Sequence, residues 1–121
     1  MPGLAVAFRD VGVSFTDPTG GVHRAIQDVS LDIENGAFVS IVGPSGCGKT
    51  TLLKLVAGIE TATEGDVMCE GGRVNSLNRR VGYIGQDSNL YPWLSVWKNI
   101  AFPLAVRGTP RAVARRKAEE L

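Results

Sequence analysis

"IVGPSGCGKTTLLKL", Ile41 to Leu55, is the stretch on which the reading of this chain turns. Gly43, Gly46, Gly48, Lys49 and Thr50 meet every fixed position of the pattern G-x-x-x-x-G-K-[ST]. Glycines are needed there because backbone amides must approach anionic oxygens closely, and a Cβ would stand in the way. A helix starting near Lys49 turns its N-terminal amides and the positive end of its dipole toward the same anion. Lysine at this place reaches the β- and γ-phosphates of a nucleotide, and the Thr50 hydroxyl ligates Mg²⁺. The stretch therefore predicts a phosphate-cradling loop over Gly43, Pro44, Ser45, Gly46, Cys47, Gly48, Lys49, Thr50 and Thr51.

The flanking residues set that loop between a strand and a helix. Phe38 to Val42 is close to continuously apolar, as a strand buried on both faces is. Thr50 to Ala57 has helical apolar spacing and stops at Gly58, a natural helix-ending residue. Upstream, "AVAFRDVGVSF" alternates around Val11, Val13 and Phe15 and predicts a half-buried strand. "TDPTGG" reads as a loop. "VSLDIENGAFVSIVG" predicts two strands about an Asn35-Gly36 hairpin turn. Downstream, "GDVMCEGGRV" predicts two short strands around Gly71-Gly72, and "RVGYIGQ" another strand. "LSVWKNIAFPLAV" reads as a helix capped by Ser95, and "TPRAVARRKAEEL" as a second, with Thr109 as cap and Pro110 in its first turn. In that last helix Ala114, Ala118 and Leu121 lack an evident partner, and no cap precedes the final residue. The sequence is expected to be cut within a domain.

Composition narrows the classes. At 121 residues the chain suffices for one modest core, and 44% hydrophobic with 21% charged residues predicts a soluble globular fold. A net charge of +1 supplies no bulk attraction to nucleic acid or anionic membrane. Cys47 and Cys69 are too few for a disulfide framework, and a reducing, intracellular setting is expected. "MPGLAVAF" has no basic segment before its apolar run, so it reads poorly as a signal peptide. No apolar run approaches the roughly 20 residues that span a bilayer.

The loop motif alone does not choose among kinases, GTPases and transport ATPases. Its surroundings do. "DVSLDIENGAFVSIVGPSGCGKTTLLKLVAGIETATEGDV" followed by "RVGYIGQDSNLYPWLSVWKNIAFPL" resembles the ATP-binding subunit of an ABC transporter, over nearly the whole chain. "LYPWLSVWKNIAFPL" is most similar to importers of the nitrate, sulfonate and taurine type. The resemblance implies an α/β fold: an incomplete P-loop NTPase domain of ABC type. Its expected parts are a mostly antiparallel β-subdomain over 1–36, a phosphate-loop core over 37–86 and the truncated start of a helical subdomain over 87–121. It implies ATP and Mg²⁺ as cofactors, Lys49 and Gln86 as catalytic residues, and Thr50 and Gln86 near the metal. Phe15 falls where the family keeps an aromatic ring that stacks on adenine. The residue pattern alone also allows a third inward side chain after Val11 and Val13. Gly85 replaces the phenylalanine that the family keeps before this glutamine, which loosens the strand end and bears on coupling.

The implied partners are transmembrane permease subunits and, in the complete domain, a second copy of the subunit, at the cytoplasmic face of the cell membrane. Trp93 and Trp97 fit either interface anchors or core residues of the helical subdomain. His23 lies in the early loop and is expected to be exposed. Arg107, Arg111, Arg115, Arg116 and Lys117 have no interleaved aromatics and are followed by Glu119 and Glu120, which predicts a solvated helix face and no nucleic-acid partner. Cys69 is expected to be small and buried.

The family's LSGGQ-type signature, its Walker B aspartate and glutamate, and its switch histidine belong to a second half that these residues do not contain. The resemblance thus implies ATP hydrolysis driving solute import in the complete domain, with little or no turnover by these 121 residues. A non-catalytic nucleotide- or partner-binding fragment, and a truncated product without activity, are the alternatives.

Overall fold

The computed structural model describes residues 3–121, which form two compact units, one ending at Tyr83 and the other Ile84–Leu121. In the first, β1 (Leu4–Thr16), β2 (Val22–Glu34), β3 (Glu64–Cys69) and β4 (Gly72–Arg73) make one sheet in the order β2-β1-β3-β4, and α1 (Lys49–Ala57) packs against it. Every pairing is antiparallel. Alternation along β1 buries Val11 and Val13 on the face that meets Leu55 of α1, where Phe8, Ile26 and Val67 complete the core. Each such side chain contributes about 1.5–3 kcal/mol by leaving water.

The long hairpin forms at "TDPTGG". The Asp17 carboxylate accepts bonds from the Thr19 hydroxyl (2.6 Å), the Gly21 amide (2.8 Å) and the Thr19 amide (2.9 Å). These donors, the Thr19 hydroxyl foremost, hold its pKa below the usual 3.8. Asn35 and Gly36 do turn the chain, with the Ala37 amide on the Glu34 carbonyl at 3.2 Å, but no strand follows. The expected hairpin there and the expected buried strand over 38–42 are both corrected: Phe38 is 95% and Val42 89% exposed. Apolar residues become a strand only beside a neighbour that takes their amides and carbonyls, and the four strands pair among themselves. "RVGYIGQ" fails for the same reason, leaving Ile84 95% exposed. "GDVMCEGGRV" does fold as a hairpin, centred on Glu70-Gly71, both with positive φ. Its strands extend the sheet begun by β1 and β2, so the antiparallel layer draws on residues well beyond 36.

The second unit is a helical hairpin of α2 (Val96–Val106) and α3 (Arg111–Glu119). Ala114 and Ala118, which lacked an evident partner, are buried against Ala101 with Trp97 and Leu104 beside them. Small residues on both helices allow the close approach. Ser95 stands at the cap position of α2 as expected, while α3 begins one residue later than expected, with Pro110 as its cap. Trp93 and Trp97 separate in kind. Trp93 is 75% exposed, whereas Trp97 packs on the alanine core with the Arg115 guanidinium 4.9 Å from its ring centre. The basic run is accordingly a helix face whose Arg115 pairs with Glu119 at 2.8 Å.

Asn99 organises the entry to α2. Its Oδ1 accepts the Tyr91 amide at 2.8 Å, and its Nδ2 donates to the carbonyls of Leu94 (3.0 Å), Ser95 (3.1 Å) and Tyr91 (3.2 Å). Asn99→Ala is expected to free residues 91–95 and fray the first turn at a cost of about 2 kcal/mol. Amide hydrogen exchange, with protection lost at Tyr91 and retained in β1, is the check.

Candidate functional site

The phosphate loop is set by what it leans on. Between Val13↔Ile26 and Ser14↔Arg24 the register of β1 and β2 slips, so Ala25 is an extra, bulged residue on β2. Its carbonyl is turned at the loop: a Cβ on Gly48 would lie 2.7 Å from that oxygen and 3.1 Å from Ile26 Cγ1. Gly48 also has φ 101°, outside the range of other residues, and caps α1. Glycine is thus demanded twice at this position, by backbone conformation and by the sheet beneath it.

Beyond Gly48 the first helical bond runs from the Leu52 amide to the Gly48 carbonyl at 3.0 Å. The amides of Lys49, Thr50 and Thr51 precede it and have no intrahelical acceptor, so they point out of the helix end. The Cys47 amide bonds Pro44 O at 3.3 Å and closes the loop on itself. Lys49 Nζ donates to the carbonyls of Gly43 and of Pro44 (2.9 Å for Pro44) and lies 3.8 Å from Cys47 Sγ. Its ammonium is thereby folded over the loop it would share with an anion. Gly43, Pro44, Ser45, Gly46, Cys47 and Thr50 are exposed, and Thr51 is half-buried. Free amides, a lysine ammonium and a hydroxyl on one open loop suit a phosphate chain with its divalent cation, and no carboxylate stands among them.

Phe15 sits at the rim of the face that buries Val11 and Val13, 40% exposed, and pairs across the hairpin with His23. It is on the core side of the sheet but past the end of the core. Gln86 belongs to the second unit, exposed, at a bend of the chain after Gly85. His23 is exposed, as expected, and Cys69 is buried.

Two contributors escaped sequence reading. The bulge at Ala25 follows from strand register, which no local pattern announces. Asn99 left a faint signal, since asparagine is a poor helix former inside a segment otherwise suited to a helix. Among the described residues there is no cluster of His, Cys, Asp and Glu fit for a metal and no helix long and apolar enough to cross a membrane.

Comparison with known proteins agrees with this geometry. A family model described as ABC transporter matches residues 26–121. The taurine import ATP-binding protein TauB of Roseobacter denitrificans is 38% identical over 121 residues, which are 100% of this chain and 44% of that protein. The aliphatic sulfonates import ATP-binding protein SsuB of Bacillus thuringiensis is 38% identical over 104 residues, 86% of this chain and 41% of that one. Among solved structures, the dimeric ATP-binding cassette MJ0796, in a post-hydrolysis state bound to ADP and Pi, superposes with a TM-score of 0.83 at 29% identity. The superposition covers 95% of this chain and 54% of that chain. The chain thus spans under half the length of these curated relatives.

Proposed function

Because this chain belongs to the ABC transporter family and is part of its ATP-binding P-loop domain, we propose that Gly43 to Thr51 bind the phosphates of ATP with Mg²⁺. In a protein of the relatives' full length, hydrolysis of that ATP drives import of a small solute of the nitrate, sulfonate or taurine type. Lys49 neutralises charge on the outer phosphates and Thr50 ligates the cation. Phe15 supplies a ring for the adenine. The partners in this reading are membrane permease subunits and a second copy of the subunit, met at the cytoplasmic face of the membrane. Taurine and sulfonate import by similar proteins, and the dimeric state of MJ0796, support it.

One observation carries the reading: the Lys49 ammonium lies over the loop at the N-terminus of α1, whose first amides have no intrahelical acceptor. When ATP binds, the ammonium exchanges the carbonyls of Gly43 and Pro44 for phosphate oxygens, a charge-assisted contact stronger than the neutral ones it leaves. ATP binding to the 121-residue chain, measured by calorimetry with Mg²⁺, is expected to weaken at least tenfold in Lys49→Ala. Equal affinity in the two proteins overturns the assignment.

A further inference from the structure

We propose that His23 is a base-contacting residue of this same site, forming with Phe15 a two-ring surface that selects the adenine; the proposal rests on the ATP reading above.

The register pairs Phe15 directly with His23, so the two side chains stand on one face of the hairpin with Cβ atoms about 5 Å apart. That face is the one α1 covers, because Val11, Val13 and Phe15 alternate along β1 and the first two pack on Leu55. Both rings lie beyond the end of the core and open to solvent.

The neighbouring polar groups are already engaged. Arg24 is held by Glu64 at 2.8 Å, and the Asp17 carboxylate is turned into its own loop by Thr19 and Gly21. Among the described residues the His23 imidazole makes no hydrogen bond, which leaves a ring face and two nitrogens free at the hairpin end. A base offers the matching chemistry: a π-face for stacking and edge nitrogens for hydrogen bonds.

The distance suits one nucleotide. The loop touches β2 at Ala25 and Ile26 through Gly48, and His23 lies three residues further along that strand. At strand rise this is about 10 Å, a span that a ribose and one phosphate bridge. The bulge at Ala25 fixes both ends of the ruler, since it presses on the loop on one side and sets the Phe15–His23 pairing on the other.

The test separates base from phosphate. Binding of ATP and of inorganic tripolyphosphate, each with Mg²⁺, is measured for the unsubstituted chain, His23→Ala, His23→Tyr and Lys49→Ala. His23→Ala is expected to weaken ATP about fivefold or more while leaving tripolyphosphate unchanged, and His23→Tyr to restore most of the loss. A merely structural histidine moves both ligands together, and that result overturns the proposal. So does ATP affinity that depends on Lys49 yet ignores His23→Ala, in which case the phosphate-loop reading stands and the base contact falls. If the unsubstituted chain binds neither ligand, both readings fail together.

Discussion

Gly58→Ala is expected to remove at least about 4 kcal/mol of stability, a loss that places it among the rare severe substitutions. Gly58 ends α1 with φ 71°, and its amide together with that of Ile59 returns to the carbonyls of Leu55 and Lys54. A left-handed conformation costs another residue about 1–2 kcal/mol. The steric clash costs more. A Cβ here would lie 2.0 Å from the Ser76 carbonyl oxygen and 2.8 Å from the Asn78 nitrogen, both backbone atoms with no rotamer by which to retreat. Asn78 cannot move alone either, because its amide donates to Ala57 O at 2.9 Å and its side chain to Val56 O at 3.0 Å. Relief requires pulling residues 76–78 from the helix end, which breaks both Asn78 bonds to the carbonyls of Ala57 and Val56. A small domain is stable by only about 5–15 kcal/mol, so the variant is expected to populate unfolded chain at room temperature. Urea unfolding followed by circular dichroism decides it. A loss below about 1 kcal/mol means that 76–78 yields freely and that the clash is no constraint.

At the other end of the same helix, Gly48→Ala is expected to reduce binding of both ATP and tripolyphosphate tenfold or more. The added methyl meets the Ala25 carbonyl, so the loop lifts from β2 and carries the start of α1, with its unpaired amides, out of place. Both ligands suffer equally because the phosphates are common to both, in contrast to the His23 substitutions, which separate them. Calorimetry on protein with unchanged far-ultraviolet circular dichroism is the measurement. Undiminished binding shows that the bulge of β2 does not position the loop.

Sequence and structure agree where causes are local. The span of α1 follows from apolar spacing within nine residues and from Gly48 and Gly58 at its two ends. The β3–β4 hairpin was legible from its glycines, although its turn falls on Glu70-Gly71, one residue before the Gly71-Gly72 expected, with Glu70 in the left-handed region that glutamate rarely adopts. Gly48 is the clearest case, since the glycine that the motif requires stands where the backbone has φ 101° and a Cβ would meet the Ala25 carbonyl. The Asp17 loop was legible as a turn, although its role as the main hairpin was not, because Asn35-Gly36 offered a stronger turn signal nearby.

What the residues determined by themselves, then, is the set of conformations that short segments adopt and the glycine-lysine-threonine motif of one loop. Only the tertiary structure decided which apolar runs find partners. Phe38–Val42 and "RVGYIGQ" have the composition of strands but, among the described residues, no neighbour to receive their backbone bonds, while Ala114 and Ala118 acquire one in Ala101. It also decided that Ala25 bulges beneath Gly48 and that His23 faces Phe15. Pairing and register are contacts between residues far apart in the chain. Their free energy depends on which surfaces are brought together, and no window of neighbouring residues contains that information.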